Sequence, residues 1–402
     1  MSHRLRFLIY PVVTLMSTSL ILFLNLGKEA IFSRSVMFEA RREDFLPEIQ
    51  QVVFLKVHKA ASSTVQNILL RFAMTRKLSV LLPYTGTIIN EEGFSISPST
   101  VLPHPEGKRK FDILCNHVVY NEQELSKYFP DDAIRVAILR EPMAQALSSL
   151  IYYSTTYCKD GNRKGLRKYP ADPVNGFLRH PEDFQVKFAN PSTSYINNRM
   201  SLDLGFDSHD LDNSKNNKTK IDLFIKTIEK QLDFVLIFEY FDESVVLLRR
   251  YFRWSMKDIL YIKLNERKPN TSSPFERKPN IIPAVMDTFR QFNRVDYELY
   301  EYFLPKFLRK IKSEPHFSEE VAAFKLIESK VARFCLSNDT NNVTIDIPAN
   351  MWTNNFTVSK EECVVMMTPE LPLVDFVRQE QLNRRRIYLR SKYTNRLQYR
   401  RY

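Results

Sequence analysis

The chain has 402 residues, of which 44% are hydrophobic, so it holds enough apolar material for one large α/β domain or two average ones. Its formal net charge of +12 favours an anionic ligand, an acidic glycan or a membrane surface over a neutral substrate alone. Four cysteines without a CxxC or His/Cys cluster argue against a structural zinc site.

The first feature along the chain is an uncharged run over 7–26, FLIYPVVTLMSTSLILFLNL. A helix needs about 20 apolar residues to cross a bilayer, and this run is longer than the core of a usual signal peptide, so we predict a transmembrane signal anchor. Arginines precede it and a Lys-Glu pair follows it. This asymmetry favours a type II topology with a cytoplasmic tail at 1–6, a stem at 27–47 and a lumenal domain at 48–380.

Sequons and cysteines agree with a lumenal, oxidising compartment. Five N-x-[ST] sequons follow the anchor, at Asn217, Asn270, Asn338, Asn342 and Asn355. The cysteines, at 115, 158, 335 and 363, allow three pairings. We favour a disulfide between Cys335 and Cys363, because they bracket a polar segment that holds three of the sequons. A disulfide that closes such a loop contributes most to stability. Cys115 ends an apolar run, where a buried thiol fits as well as a bridge.

Strand-like and helix-like segments alternate beyond the stem. Short apolar, β-branched runs predict strands at 52–56, 111–115, 134–139 and 234–238. Amphipathic spacing predicts the helices that follow them, at 62–72, 122–128, 142–153 and 242–252. The alternation is typical of a parallel sheet flanked by helices, with ligands beyond the carboxyl ends of the strands.

The remaining segments are less regular. The stretches 77–110 and 158–220 are longer than ordinary connections and are candidates for binding an acceptor. After Asp287 the chain becomes mainly helical, with aromatic residues that fit packing positions. The closing residues, 381–402, alternate aromatic and basic side chains without a clear period, so we expect a solvated basic tail.

The turn between the first strand and the first helix, VHKAASST over 57–64, favours phosphate binding. Ser62 or Ser63 can cap the helix, whose N–H groups and positive dipole end then face the turn. Lys59 and Thr64 lie beside them. A Walker-type loop, and with it ATP or GTP hydrolysis, is disfavoured, because the segment has no glycine and its lysine precedes the serines. A capped helix with a solvated lysine is the alternative interpretation.

A second strand, turn and helix, IRVAILREPMAQALSSLIYY, repeats this arrangement. Arg140 follows the strand directly, and Pro142 takes a first helical position where its missing N–H costs nothing. Ser148 lies about two turns further along the helix, and an arginine fork with a hydroxyl can hold a phosphate monoester. Taken alone, Arg140 also fits a surface arginine at a strand end.

Three side chains are candidates for a general base. His117, in ILCNHVVY, directly follows the predicted strand at 111–115 and so projects from the same sheet edge as both turns. Its ordinary pKa suits proton transfer near neutral pH, although a polar residue capping a strand end is the alternative. His58 is the competing histidine, or it fixes the loop. Glu239, in FEYFDES, is the third candidate, for which bonding to the backbone fits better.

Seven segments together resemble the galactose 3-O-sulfotransferase family, in the family's order: LKVHKAASSTVQNILLRF, ILCNHVVY, ILREP, SYINNRMSLDLGFD, VLIFEYFDESVVLLRRYF, DILYIKLNERK and CVVMMTPEL. The resemblance implies a P-loop-like sulfotransferase fold in a type II Golgi enzyme. Such an enzyme transfers sulfate from 3′-phosphoadenosine 5′-phosphosulfate, without a metal, to the 3-hydroxyl of terminal β-galactose on glycoprotein or glycolipid glycans.

Alternatives to this function stay open. A Golgi carbohydrate sulfotransferase with another acceptor and an inactive glycan-binding relative are the rivals. Galactosylceramide, type 1, type 2 and core 1 chains all fit as acceptors, and a homodimer is left open. Nucleic acid is not an expected partner, because a membrane anchor excludes nuclear targeting.

The resemblance also implies roles for individual residues. The 5′-phosphosulfate loop corresponds to Lys59, Ala60, Ala61, Ser62, Ser63 and Thr64. Arg140 and Ser148 match the residues that hold the 3′-phosphate, although Glu141 replaces the usual aspartate. Lys59 is then the group that stabilises the leaving phosphate, and His117 is the base. Asn265 and Arg267 are placed near the nucleotide by the resemblance alone.

Overall fold

A four-stranded parallel sheet lies at the centre of the fold. Its strands are β1 (Val52–Leu55), β3 (Ile113–Leu114), β5 (Ile134–Leu139) and β6 (Phe234–Ile237), in the order β3-β1-β5-β6. All three neighbouring pairs are parallel. Every residue of β1 is buried, as a strand covered on both faces requires. The predicted sheet is confirmed. The first and last residues of its strands lie at most two residues inside the predicted bounds.

The structure is a computed structural model that describes residues 46–90, 95–155, 160–184, 194–207, 211, 216–263, 282–337 and 343–399. The predicted tail, anchor and most of the stem lie outside these residues, as do Cys158, Asn265, Arg267 and three of the sequons. No helix within the described ranges is both long and apolar enough to cross a bilayer.

Helices flank the sheet and dominate the second half of the chain. In chain order they are α1 (Ser62–Arg76), α2 (Glu122–Leu125), α3 (Pro142–Thr155), α4 (Asp160–Lys168), α5 (Pro173–Arg179), α6 (Arg199–Asp203), α7 (Lys218–Gln231), α8 (Phe241–Phe252), α9 (Pro283–Phe292), α10 (Arg294–Ser313), α11 (Phe317–Leu336), α12 (Lys360–Met367) and α13 (Glu370–Tyr399). The four helices that the sequence predicts are α1, α2, α3 and α8.

The order of the sheet strands positions the site. The chain passes from β1 outward to β3 and then returns across β1 to β5. The direction of the connections therefore changes at β1. In open parallel sheets, ligands bind in the crevice beyond the carboxyl ends of the strands at such a point. The turn that follows β1 lies at this place.

The two long connections contain short elements that the sequence does not reveal. Strand β2 (Ile88–Asn90) lies in the first and pairs in parallel with β4 (His117–Val118). Helices α4, α5 and α6 lie in the second, and α5 and α6 have only seven and five residues. Helices this short give too few turns for a periodic pattern. A second apolar cluster, around Phe177, Phe184 and Phe289, packs α5 against α9 and α3.

The helical C-terminal part agrees with the sequence. Phe289, Tyr297 and Tyr300 are buried, which confirms their packing role. A disulfide joins Cys335 of α11 to Cys363 of α12, as predicted. The loop that it closes also holds a two-stranded antiparallel hairpin, β7 (Thr344–Ile347) and β8 (Phe356–Ser359), which was not predicted. Cys115 is a buried free thiol.

Helix α13 contains residues that were expected to form a solvated tail. Gln381 is buried, and its side chain accepts the N–H of Val80 at 2.6 Å and donates to the same residue's carbonyl at 3.0 Å. Arg385 donates to the carbonyl of His104 at 2.8 Å. The expectation of a tail that begins at 381 is therefore wrong. Polar side chains that bond to backbone groups leave no hydrophobic period in the sequence.

We predict that Gln381→Ala lowers the free energy of unfolding by about 1–3 kcal/mol, because both backbone groups of Val80 lose their partner in a buried setting. Gln379→Ala on the exposed face of the same helix is the matched control and should change stability by less than about 0.5 kcal/mol. Urea unfolding of the two purified variants measures both values. Equal effects would contradict the docking of α13 through Gln381.

Candidate active site

The turn between β1 and α1 takes a shape that glycine-rich loops usually take. Lys59 and Ala61 have φ angles of 60° and 59°, in the left-handed region that side chains other than glycine rarely adopt. Each such residue costs about 1 kcal/mol or more. The hydroxyl of Ser62 donates to the carbonyl of Val57 at 2.6 Å and closes the turn. Contacts of the surrounding structure thus hold a conformation that the sequence itself disfavours.

The capping predicted for α1 is wrong. The N-cap residue is Ala61, and no side chain caps the helix. The two serines are used elsewhere, since Ser62 bonds to Val57 and Ser63 donates to Glu370 at 2.5 Å. The helix therefore presents the positive end of its dipole to the turn without a side-chain oxygen in the cap position. An uncapped helix start binds an anion more readily than the predicted serine-capped start would.

Lys59 lies at the centre of the turn. Its ammonium sits 3.6 Å from the ring centroid of Tyr152, which belongs to α3. Burial, and then the positive charge of Arg140, lowers the pKa of Lys59 to about 8, while Glu370 acts in the opposite direction. An anion placed beside a lysine whose pKa is lowered in this way stabilises its charged form. Electrostatics therefore favour an anionic ligand here.

Arg140 brings the second turn into contact with the first. Its Nη1 donates to the carbonyl oxygen of Lys59 at 3.0 Å, and its guanidinium lies 4.3 Å from the ring centroid of Phe238. Ser148 lies further along α3 and is half-buried. The two turns that the sequence singles out are therefore neighbours, as a single ligand with two anionic groups requires.

Glu141 and Glu239 have structural partners. Glu239 accepts the N–H of Glu141 and the hydroxyl of Tyr300, each at 2.9 Å. Glu141 in turn accepts the N–H groups of Met143 and Ala144 in the first turn of α3. The backbone bonding favoured for Glu239 is thus present. The carboxylate of Glu141 caps α3 as an aspartate would.

The side chain of His117 contacts both the backbone carbonyl and the ammonium group of Lys56. Its Nδ1 lies 3.0 Å from the carbonyl oxygen of Lys56, and its Nε2 lies 2.9 Å from the Lys56 ammonium. An ammonium only donates, so Nε2 accepts and Nδ1 carries the proton. Burial, followed by the charges of His58 and Lys56, lowers the pKa of His117 well below its ordinary value. The imidazole is therefore neutral, which is the form that accepts a proton.

Lys56 itself is almost completely buried, with 1% of its surface exposed. Its ammonium donates to Glu370 at 2.6 Å as well as to His117. Burial lowers the pKa of Lys56, and the Glu370 carboxylate opposes this effect. A buried ammonium needs such a partner, because an unpaired charge would be costly at this depth.

His58 is fixed by an ion pair behind the turn. Asp203 accepts its backbone N–H at 2.8 Å and lies 2.9 Å from its Nδ1, and Arg199 pairs with the same carboxylate at 2.6 Å. The ring of His58 stacks on that of His117 at a centroid distance of 3.8 Å. These contacts favour the loop-fixing role for His58 and leave His117 as the better-placed candidate for the base.

Sequence reasoning missed several members of this site. Lys56 carries a usable signal, because a charged residue directly after a fully buried strand is uncommon. Tyr152 has none, since an aromatic residue in an amphipathic helix more often packs in the core. Glu370 is 314 positions from Lys56, so no local pattern connects the two.

Comparisons with known proteins agree with this geometry. The family model described as Galactose-3-O-sulfotransferase matches residues 8–351. The chain is 32% identical over 303 residues to galactose-3-O-sulfotransferase 2 of Sus scrofa, covering 73% of this chain and 70% of that protein. It is 32% identical over 301 residues to galactose-3-O-sulfotransferase 3 of Bos taurus, with coverages of 73% and 65%. Identity to the galactosylceramide sulfotransferase of Homo sapiens is 30% over 292 residues, with coverages of 71% and 64%.

The parallel sheet, the basic turn at its switch point and these matches define the class of protein, which is a sulfotransferase. Within that class, the chain belongs to the galactose-3-O-sulfotransferase family. The resemblance seen in the seven sequence segments is thereby confirmed.

We predict that Lys59 reacts with acetic anhydride at lower pH than an ordinary surface lysine. With a pKa of about 8, half of its amines are neutral and nucleophilic near that pH. Lys168 is the reference, because its hydrogen bond to Asp183 raises its pKa. Competitive labelling across a pH series, read by peptide mass spectrometry, should place the midpoint of Lys59 below that of Lys168. Parallel labelling of the two lysines would contradict the burial effect.

Proposed function

We propose that this sulfotransferase moves sulfate from 3′-phosphoadenosine 5′-phosphosulfate to the 3-hydroxyl of a terminal β-galactose on a glycoprotein or glycolipid glycan. The contact between the two basic turns carries the proposal, since Arg140 donates to the carbonyl of Lys59 at 3.0 Å. The donor has one anionic group at its 5′ position and another at its 3′ position. Two adjacent turns of positive charge match that pattern.

The first turn holds the 5′-phosphosulfate. The residues that we assign to it are Lys59, Ala60, Ala61, Ser62, Ser63 and Thr64. The start of α1 without a side-chain cap, and the left-handed backbone at Lys59 and Ala61, support this assignment because they leave N–H groups and a positive dipole end facing the turn. The bond from Ser62 to Val57 shapes the turn, so its hydroxyl acts through the loop's conformation.

The second turn holds the 3′-phosphate. A guanidinium presents paired donors that match a phosphate, and a serine hydroxyl on the following helix adds a further bond. Arg140 and Ser148 take these roles. The cap that Glu141 gives to α3 keeps the helix start in place beside Arg140.

In the transfer step, the bond between sulfur and the bridging phosphate oxygen breaks while a bond forms between sulfur and the galactose 3-oxygen. Positioning and charge stabilisation dominate such in-line transfers. The Lys59 ammonium stabilises the negative charge that develops on the leaving phosphate. No step of this scheme requires a metal.

His117 takes the proton of the acceptor hydroxyl. The ring is neutral and its Nδ1–H bonds to the carbonyl of Lys56, so Nε2 is the atom that accepts the proton. That atom now faces the Lys56 ammonium, and two positive charges at 2.9 Å would repel each other. The acceptor hydroxyl therefore replaces Lys56 at Nε2 before the proton moves.

The sequence and the names of the relatives support our proposal for location and acceptor. We assign the enzyme to the Golgi membrane, with a single span at 7–26, a stem at 27–47 and a lumenal catalytic domain that starts near residue 48. The relatives are named for galactose and for galactosylceramide, so glycoprotein and glycolipid chains that end in galactose are the acceptor class. The connections 77–110 and 158–220 are the candidates for binding them.

Transfer of isotope-labelled sulfate to an array of glycans tests the function. We expect label on glycans that end in β-galactose, and linkage mapping should place it on the 3-oxygen. Label at another position or on another sugar would favour a different acceptor. Binding of the nucleotide without transfer to any glycan would contradict the proposal.

We predict that Lys59→Ala and His117→Ala each lower turnover by at least about 100-fold, through loss of charge stabilisation and of the base. An exposed lysine and a half-buried histidine provide the controls. Lys127→Ala and His316→Asn should keep turnover near that of the wild type, and asparagine tolerates the left-handed backbone at position 316. Near-normal turnover of His117→Ala would exclude His117 as the base.

We predict that Arg140→Ala weakens binding of adenosine 3′,5′-bisphosphate by about tenfold or more, because a charged hydrogen bond to a phosphate is lost. Arg290→Ala, at an exposed arginine of α9, is the control and should leave affinity unchanged. Isothermal titration calorimetry measures both. Equal affinities of the wild type and Arg140→Ala would refute the role of Arg140.

A further inference from the structure

Glu370 places a carboxylate inside a site built for anions. It is the first residue of α13, and its two oxygens bond to different elements. Oε1 accepts from the Lys56 ammonium at 2.6 Å, and Oε2 accepts from the hydroxyl of Ser63 at 2.5 Å. Lys56 lies directly after β1, and Ser63 lies in the first turn of α1. One side chain therefore joins the end of the sheet, the start of α1 and the start of α13.

This position is unfavourable for donor binding alone. A negative charge beside Lys59 and the start of α1 repels an incoming polyanion. The carboxylate also acts on Lys59, whose pKa is lowered mainly by burial and is partly restored by Glu370. A role in the transfer step explains the position better than a role in binding the donor.

Helix α13 is also docked by contacts that do not involve Glu370. The helix is fastened further along, where Gln381 bonds to both backbone groups of Val80 and Arg385 bonds to the carbonyl of His104. A merely structural brace at Glu370 would therefore duplicate contacts that already exist. Its particular contribution is the charge that it brings to Lys56.

We propose that Glu370 is a positioning residue for sulfate transfer, which holds the Lys56 ammonium charged and directed at Nε2 of His117. This inference rests on the proposed function, in which His117 is the base. With Lys56 held in this way, His117 stays neutral and keeps its proton on Nδ1. The Lys56 ammonium is then released toward the developing negative charge when the acceptor hydroxyl replaces it at Nε2.

The charged groups around the two lysines set the expected pH dependence. Lys56 is surrounded by Glu370, His117, Cys115 and Asp203, and Lys59 by Arg140, Glu370 and Lys56. Both lysines lose a nearby negative charge in Glu370→Gln, while their other neighbours stay. Each ammonium then loses its proton at lower pH. The alkaline decline of activity should therefore begin at a lower pH in Glu370→Gln than in the wild type.

Three variants test the inference. Glu370→Gln keeps the size of the side chain and removes its charge, Glu370→Asp keeps the charge on a shorter side chain, and Glu380→Gln is the matched control on the same helix. We measure kcat, KM and their pH dependence, affinity for adenosine 3′,5′-bisphosphate by calorimetry, and the melting temperature. Glu380→Gln should resemble the wild type in every measurement.

We expect Glu370→Gln to lower kcat by about tenfold or more, because a misdirected catalytic group costs about that much. Affinity for the bisphosphate should stay the same or increase, since a repulsive charge is gone. The alkaline limb of the pH–rate profile should move to lower pH in Glu370→Gln and stay near the wild-type position in Glu370→Asp.

Two results would overturn the inference. One is a kcat of Glu370→Gln within about twofold of the wild type with an unmoved alkaline limb. The other is a parallel loss of kcat, bisphosphate affinity and melting temperature, which a structural brace would produce. Failure of the proposed function has a different signature, namely a wild-type protein that does not bind the bisphosphate or a His117→Ala variant that keeps its turnover.

Discussion

The hydrogen bond from Arg140 to the carbonyl of Lys59 is the contact on which the site depends. It exists because β1 and β5 are adjacent and parallel, with Leu55 opposite Ala137, so the turns after both strands leave the same edge of the sheet. The pairing of the strands fixes the separation of two positive turns to a few ångströms. A ligand with two anionic groups can then bind without any rearrangement of the sheet.

Buried and half-buried charges near the first turn are arranged in pairs. Lys56 pairs with Glu370, and Arg199 pairs with Asp203, on either side of the stacked rings of His58 and His117. Removing charges from water is costly, and each pair offsets part of this cost only while its geometry is kept. The same pairing leaves both imidazoles between two fixed ion pairs. The acid–base behaviour of the site is therefore a property of the whole group.

Local patterns in the sequence predict the parts of this site that lie directly after strands. Lys59, His117 and Arg140 follow predicted strands, and the structure brings them to one edge of the sheet. The cap of α1 was not predictable, because Ser62 and Ser63 satisfy the pattern of a capping residue but bond to Val57 and Glu370. The role of α13 was hidden for a different reason. Its contacts are hydrogen bonds between distant polar groups, which hydrophobic periodicity does not report.

The ion pair of Lys56 with Glu370 also has a consequence for biosynthesis. The two residues are 314 positions apart, and at translation rates of about 5–20 residues per second the second emerges roughly 15–60 s after the first. During that interval the lysine at the end of β1 lacks its ion-pair partner, and the sheet cannot bury it at low cost. A ribosome that stops before the last helix therefore releases a chain whose sheet edge stays open, which makes truncated products natural substrates for chaperones and proteases.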